Sequence, residues 1–295
     1  MDEWGGLTRG GIRGGAALAP GSTDEKERRR GVEAAVASLG GEHPLTIRDR
    51  RVQLFAGGSG SPLVYLHGAG PYWWMPVHDL LARHRRVVLP VHPGFGQSEG
   101  LDAIETMEDL VFHTLDVLDA LALERADVVG LSMGGWLAAE LALRHPGRVS
   151  HLVLVDAVGV RLPGVPMADP FMVSPPKARQ LLFHDPASEV ALRLLPDTPP
   201  PDRAEAVLRG REAAARLLWN PAQAYRRLTD RLWRIRTPTL VVWGADDRLI
   251  PPAYGEAWAR GIPGARLVTI ERCGHLPPLE CPERFAELTL DFLHG

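Results

Sequence analysis

The chain has 295 residues, 45% of them hydrophobic, with 33 Lys and Arg against 36 Asp and Glu and a net charge of −3. A chain of that length buries roughly 75% of its unfolded surface, which favours one large domain with an insertion over several small ones. The near-balanced charge lacks the basic footprint of a nucleic-acid binder, and no apolar run approaches the ~20 residues of a membrane-spanning helix.

Two cysteines, Cys273 and Cys281, cannot make a disulfide framework, and two reduced thiols are expected. Ala16 to Ala19 is too short and too weakly apolar for the core of a signal peptide. The cytoplasm is the expected location.

Residues 1–21 are glycine-rich and without periodicity, so a flexible tail is expected. Ser22 to Glu25 has capping-box spacing, and Val32, Ala35, Val36 and Leu39 recur at helical intervals, which predicts a short helix within 22–41. Leu45 to Arg48 and Arg51 to Ala56 then suggest a hairpin turning at Asp49-Arg50.

Short apolar runs follow at Leu63 to Leu66, Val87 to Leu89, Val128 to Leu131, Leu152 to Val155, Thr239 to Trp243 and Leu267 to Ile270. They are continuous rather than alternating, as strands covered on both faces must be. Between them lie amphipathic helical stretches. One opens at Thr106 with a box closed by Asp109; another runs from Gly134 to Arg144 and stops at His145-Pro146-Gly147. The alternation predicts a doubly wound, mostly parallel α/β sheet built from 42–156 and 237–295. Residues 157–236 break the pattern. They are proline-rich with several helix starts, among them Ser174-Pro175 and Asp202, and predict a helical lid inserted between two strands.

Gly130-Leu131-Ser132-Met133-Gly134 follows an apolar run and precedes a helical one. A serine on such a turn needs glycine on both sides because the backbones approach closely, and its hydroxyl then stands at a helix N-terminus. Acyl transfer also needs two donors for the forming oxyanion. The N–H of Met133 is one candidate; the other is that of Ala69, in the Leu66-His67-Gly68-Ala69-Gly70 stretch after an earlier strand. His67 fits a structural hydrogen-bonding role better than a catalytic one.

Asp246 and Asp247 leave the strand Thr239 to Trp243, and His275 follows the last strand. That histidine could take the serine proton and return it to the leaving group. The order Ser, Asp, His fits a triad on such a sheet. Either aspartate, or Asp156 after the strand Leu152 to Val155, could orient the base.

These motifs, with Pro93-Gly94-Phe95-Gly96-Gln97-Ser98 between them, resemble a lid-bearing member of the α/β-hydrolase superfamily over nearly all of 44–294. The resemblance implies the α/β-hydrolase fold, Ser132 as nucleophile, His275 as base and Asp247 as acid, with neither cofactor nor metal. A serine at the nucleophile position departs from the dehalogenase and epoxide-hydrolase branches, which use aspartate there. Val91-His92 departs from the aspartate that relatives commonly carry before Pro-Gly, and His92 is expected at a structural position or a pocket rim.

Trp73 and Trp74, beside Tyr72, together with Phe171, Met172 and Trp219, are the pocket candidates. Phe183 and Trp233 could add to an apolar lining, and Arg161, His184 or Arg193 could meet a carboxylate or carbonyl. Hydrolysis of small to medium carboxylic esters through an acyl-enzyme on Ser132 is the first expectation. The alternative is C–C bond hydrolysis of vinylogous diketones, whose enzymes share Ser-Met-Gly-Gly and a proline after the oxyanion loop, here Ser132 to Gly135 and Gly70-Pro71. A third possibility, from another class, is a small-molecule receptor that retains the triad.

Overall fold

The computed structural model describes residues 41–171, 173–198, 201–218 and 227–294. The expected tail and N-terminal helix, together with Met172 and Trp219, lie outside them.

The described residues form an eight-stranded sheet in the order β1-β4-β6-β5-β7-β8-β9-β10. Its strands are β1 (Gly41–Glu42), β4 (Leu54–Gly57), β5 (Pro62–Leu66), β6 (Arg86–Pro90), β7 (Ala126–Leu131), β8 (Val149–Val155), β9 (Thr239–Gly244) and β10 (Arg266–Ile270). β4 runs antiparallel to both β1 and β6, and every pairing from β6 through β10 is parallel. Each parallel crossover carries a helix or the insertion, which is what parallel strands require.

The helices are α1 (Pro76–Ala82), α2 (Met107–Ala120), α3 (Met133–Arg144), α4 (Pro175–Leu182), α5 (Glu189–Leu194), α6 (Pro201–Leu218), α7 (Ala253–Gly261), α8 (Pro277–Glu280) and α9 (Pro282–His294). Two apolar cores flank the sheet. Val64, Leu66 and Val128 face α2, α3 and α7, whereas Leu63, Tyr65, Val129 and Leu131 face α1 and α9. The period of two along each strand sends neighbours to opposite cores, so the central strands are apolar on both faces apart from Asp127, Ser150 and His151 near their starts. Each fully buried aliphatic side chain contributes about 1.5–3 kcal/mol to this packing. The box expected at α2 is present: Asp109 N–H donates to Thr106 Oγ1 at 3.3 Å, and Asp109 accepts from Thr106 N–H at 2.8 Å.

Two local expectations are corrected. β2 (Leu45–Ile47) and β3 (Arg50–Val52) pair with Ile47 opposite Arg50, so the turn is Arg48-Asp49, one residue earlier than expected. Both turn residues have positive φ, 48° and 63°, as a tight two-residue hairpin demands. The run Arg51 to Ala56 is not one strand. It breaks at Gln53, whose N–H donates to Ser98 Oγ at 3.0 Å and whose Oε1 accepts from Gln97 N–H at 2.9 Å, and β4 continues into the large sheet.

Between β8 and β9 the described residues are helical or irregular, with no strand. The segment is tied down along its length. Ala168 N–H donates to the Leu249 carbonyl at 3.0 Å, and Tyr254 Oη–H donates to that of Val165 at 2.7 Å. From α6, Arg209 donates to the Gly96 carbonyl and Arg216 to that of Leu101. No helix among the described residues is long and apolar enough to cross a membrane.

Candidate active site

Ser132 occupies the step from β7 into α3, with φ 53° and ψ −112°. A non-glycine residue held there stores about 1–3 kcal/mol of backbone strain, which the surrounding packing must offset. Gly134 shows why this turn excludes side chains: a Cβ there would stand 2.0 Å from the Leu66 carbonyl oxygen. Ser132 N–H donates to the Val155 carbonyl at 2.8 Å, and Val158 N–H donates to the Ser132 carbonyl at 3.2 Å, so the end of β8 wraps the serine.

Met133 is the first residue of α3, and its N–H has no intrahelical acceptor by position. The loop after β5 passes close by. A Cβ on Gly68 would lie 3.1 Å from Ser132 Cβ and 3.7 Å from its Oγ, and Ala69 follows directly.

Two stacked histidines hold that loop. The His67 and His92 rings lie 3.9 Å apart. His67 Nδ1–H donates to the Gly68 carbonyl at 2.6 Å, its Nε2 accepts from His92 N–H at 2.9 Å, and His92 Nε2–H donates back to the His67 carbonyl at 3.0 Å. Burial pushes His67 down to about 4 and His92 well below the usual imidazole range, so both stay neutral. His92 thus occupies the departure at Val91-His92 with a pair of hydrogen bonds of its own.

On the far side, His275 Nδ1–H donates to Asp247 Oδ2 at 2.7 Å, and both side chains are almost fully buried. Asp247 Oδ1 accepts from the N–H groups of Leu249 at 2.9 Å and Ile250 at 2.8 Å, which fixes the carboxylate. With Nδ1 protonated, Nε2 is the basic nitrogen of the neutral ring. Polar atoms of Asp156, Asp247 and His275 lie within 4.8 Å of one another.

Of the two adjacent aspartates, Asp247 reaches His275, while Asp246 accepts from His184 Nδ1–H at 2.6 Å. The carboxylate of Glu280 spans the next gap, accepting from His184 N–H and Gly274 N–H, both at 2.8 Å. His275 N–H donates to the Leu182 carbonyl at 2.8 Å, and the Arg248 guanidinium donates to those of Gln180 and Phe183. The end of α4 is therefore sewn into both loops that carry Asp247 and His275. Sequence reasoning missed this seam. Its visible signs were scattered polar residues, Asp246, Arg248 and Glu280, beside the motif residues.

The pocket candidates separate. Trp74 turns to α1, donating its indole N–H to Asp79 at 2.7 Å with its ring beside His78. Trp73 is exposed and sits edge-on to Tyr72. Phe171 is half-buried against the core, and Phe183 is fully buried. Trp233 is exposed under the Arg234 guanidinium. Arg161 N–H donates to Thr229 Oγ1. Both cysteines are unbridged, and burial pushes the Cys273 thiol up.

Residues 63–288 match the alpha/beta hydrolase family model. The chain is 36% identical to the 2-hydroxymuconate semialdehyde hydrolase of Pseudomonas sp. (strain CF600), over 82% of this chain and 90% of that one. It is 35% identical to the 2-hydroxy-6-oxo-2,4-heptadienoate hydrolase of Pseudomonas putida, over 80% and 90%. Among solved structures, 2-hydroxy-6-oxo-6-phenylhexa-2,4-dienoate hydrolase from Rhodococcus sp. strain RHA1 superposes with a TM-score of 0.73 at 23% identity, covering 88% of this chain and all of that one. With its serine turn, parallel sheet and family match in agreement, the chain belongs to the α/β-hydrolase family and is a hydrolase.

Proposed function

We propose that the chain hydrolyses a carbon–carbon bond next to a ketone in a vinylogous diketone of the kind released by aromatic ring fission. The observation that carries this is the 36% identity to a 2-hydroxymuconate semialdehyde hydrolase, which spans core and insertion alike rather than the serine motif alone. Ester hydrolysis, the first expectation from sequence, is supported less, by a likeness to a membrane phospholipase A at 27% identity.

Ser132 is the proposed nucleophile, His275 the base and Asp247 its orienting acid. Serine oxygen attacks the carbonyl carbon, a ketone or, in a semialdehyde, an aldehyde, as His275 Nε2 takes its proton. The N–H groups of Met133 and Ala69 receive the oxyanion. The dienol must first move its enol proton to the carbon beside the reacting carbonyl, giving the diketo tautomer. When the C–C bond then breaks, its electron pair passes to that carbon, where conjugation through the alkene with the distal oxo group spreads the charge, and His275 supplies the proton. Water then attacks the acyl-enzyme, with His275 again as base, and releases a carboxylic acid. The insertion between β8 and β9 is proposed as the lid that shapes the acyl pocket, Phe171 being its nearest described candidate.

The conjugated dienoate absorbs visible light and its products do not, so bleaching of 2-hydroxymuconate semialdehyde is a direct assay. Its kcat/KM should exceed that for aryl acetates by about a hundredfold or more. A preference for aryl esters would instead restore the ester reading. Binding of both without turnover would favour a receptor.

A further inference from the structure

Asp156 lies behind the base. It ends β8 with φ 42°, a strained position for a non-glycine residue, and is completely buried. Its N–H continues the sheet by donating to the Val242 carbonyl at 3.1 Å, and its Oδ1 accepts from Gly244 N–H at 3.0 Å. No N–H or O–H donor reaches Oδ2 among the described residues. The Asp247 carboxylate lies close by instead: an oxygen of each aspartate and a nitrogen of His275 lie within 4.8 Å of one another.

Two carboxylates this close and both buried repel each other strongly when both are charged, and one of them keeping a proton relieves that. The hydrogen bonds decide which. Asp247 accepts from three N–H groups, those of Leu249, Ile250 and His275, and so holds the charge. Asp156 accepts from one and has an oxygen with nothing to receive. We infer that Asp156 is a neutral carboxylic acid at working pH, donating its proton to Asp247 and acting as a positioning residue for the Asp247–His275 pair. Burial, and then the neighbouring Asp247, push Asp156 well above the usual carboxylate range, in the same direction.

The other groups facing this cluster are Glu280 and the Cys273 thiol, both of which burial also pushes up, so none brings a cation to neutralise a second charge. A metal between the groups is disfavoured because His275 and Asp247 touch directly at 2.7 Å, with no room for an ion between them. The consequence concerns the base. A neutral Asp156 leaves one negative charge beside His275, so the imidazolium formed in the reaction is balanced and can still release its proton. Two charges would hold that proton too tightly.

Two measurements test this, and the first needs no activity. Infrared spectra of the wild-type chain at neutral pH should contain the carbonyl stretch of a protonated, buried carboxylic acid. Aspartate-specific carboxyl labelling with 13C should move that band, which separates it from Glu280, and Asp156→Asn should remove it. Absence of a label-sensitive band in the wild type would overturn the inference.

The second is the pH profile of Ser132 labelling by a small phosphonate, which rests on the triad proposed above. Asparagine can donate and accept in the same places, so Asp156→Asn should keep the acid limb where it is in the wild type and retain labelling within a few-fold. A limb displaced downward by about one pH unit or more would mean that a negative charge was removed, and the inference fails. Asp156→Ala, which loses the donor, should label at least about tenfold more slowly. Labelling of a serine other than Ser132 would sink the triad and leave the infrared band to judge Asp156 alone.

Discussion

A Cβ on Gly244 would stand 1.9 Å from the carbonyl oxygen of Gly274. These two glycines are where the loop carrying Asp247 and the loop carrying His275 touch, and only a hydrogen at Gly244 lets them close. Gly244→Ala should push the loops apart, stretch the 2.7 Å bond between His275 and Asp247 and slow Ser132 labelling more than it lowers stability. An overpacking cost of about 1–3 kcal/mol by urea titration is expected. Full labelling rate in a folded variant would show that the loops have other ways to meet.

Asp247→Asn should cut kcat by about 10⁴, because the amide favours the wrong imidazole tautomer. Ser132→Ala should lose turnover and phosphonate labelling together while the urea midpoint hardly moves. Asp246→Asn should cost far less in kcat and appear mainly in KM, since its partner is His184 in the insertion. The opposite ranking moves the acid to Asp246; two near-neutral results point to Asp156.

Acid should unfold this protein earlier than most. Burial pushes His67 down to about 4, His78 to about 3 and His92 well below the imidazole range, and burial with the nearby Arg50 brings His113 down to about 4. The unfolded chain binds these protons below about pH 6.5 and the native state does not, so stability falls as pH drops from about 6.5 toward 4. At pH 5 each histidine costs about 2 kcal/mol, while the proton that Asp156 keeps in the native state acts in the opposite direction and offsets about one of the four. Urea midpoints at pH 7, 6 and 5 should show the slope, and His78→Gln, far from Ser132 in sequence and on α1, should flatten it by one proton. A midpoint constant over that range would contradict the neutral assignments.

Phe171→Ala should change KM and the preference among acyl groups more than it changes labelling of Ser132 by a very small phosphonate. Parallel loss of both would mean that residues near 171 build the catalytic centre rather than cover it.

Much of this was legible beforehand because it is written in local patterns. The apolar runs from Leu63 to Ile270 fall on strands of the sheet, and the Thr106–Asp109 box opens α2 where expected. Ser132 can sit on its turn because Gly130 and Gly134 let the backbones approach where a Cβ would stand 2.3 and 2.0 Å from a carbonyl oxygen. What escaped was set by tertiary contact. Nothing local distinguishes Asp246 from Asp247, which differ only in the histidine each reaches. Arg48 adopts positive φ against its own preference because the hairpin register requires it. His92 was an anomaly until His67 appeared beside it. The bond to be cleaved was least legible of all, since the same motif residues fit ester and C–C hydrolysis alike, and the likeness to dienoate hydrolases favours the second.

Adjacent residues point to opposite partners in the turn after β9: Asp246 fastens the insertion through His184, and Asp247 fastens the base through His275. One peptide unit thus serves as a shared fulcrum. A tilt of α4 would pull on this unit through His184, and so on the carboxylate hydrogen-bonded to His275. With the insertion proposed as lid and His275 as base, the two hydrogen bonds would couple substrate access to the alignment of that base.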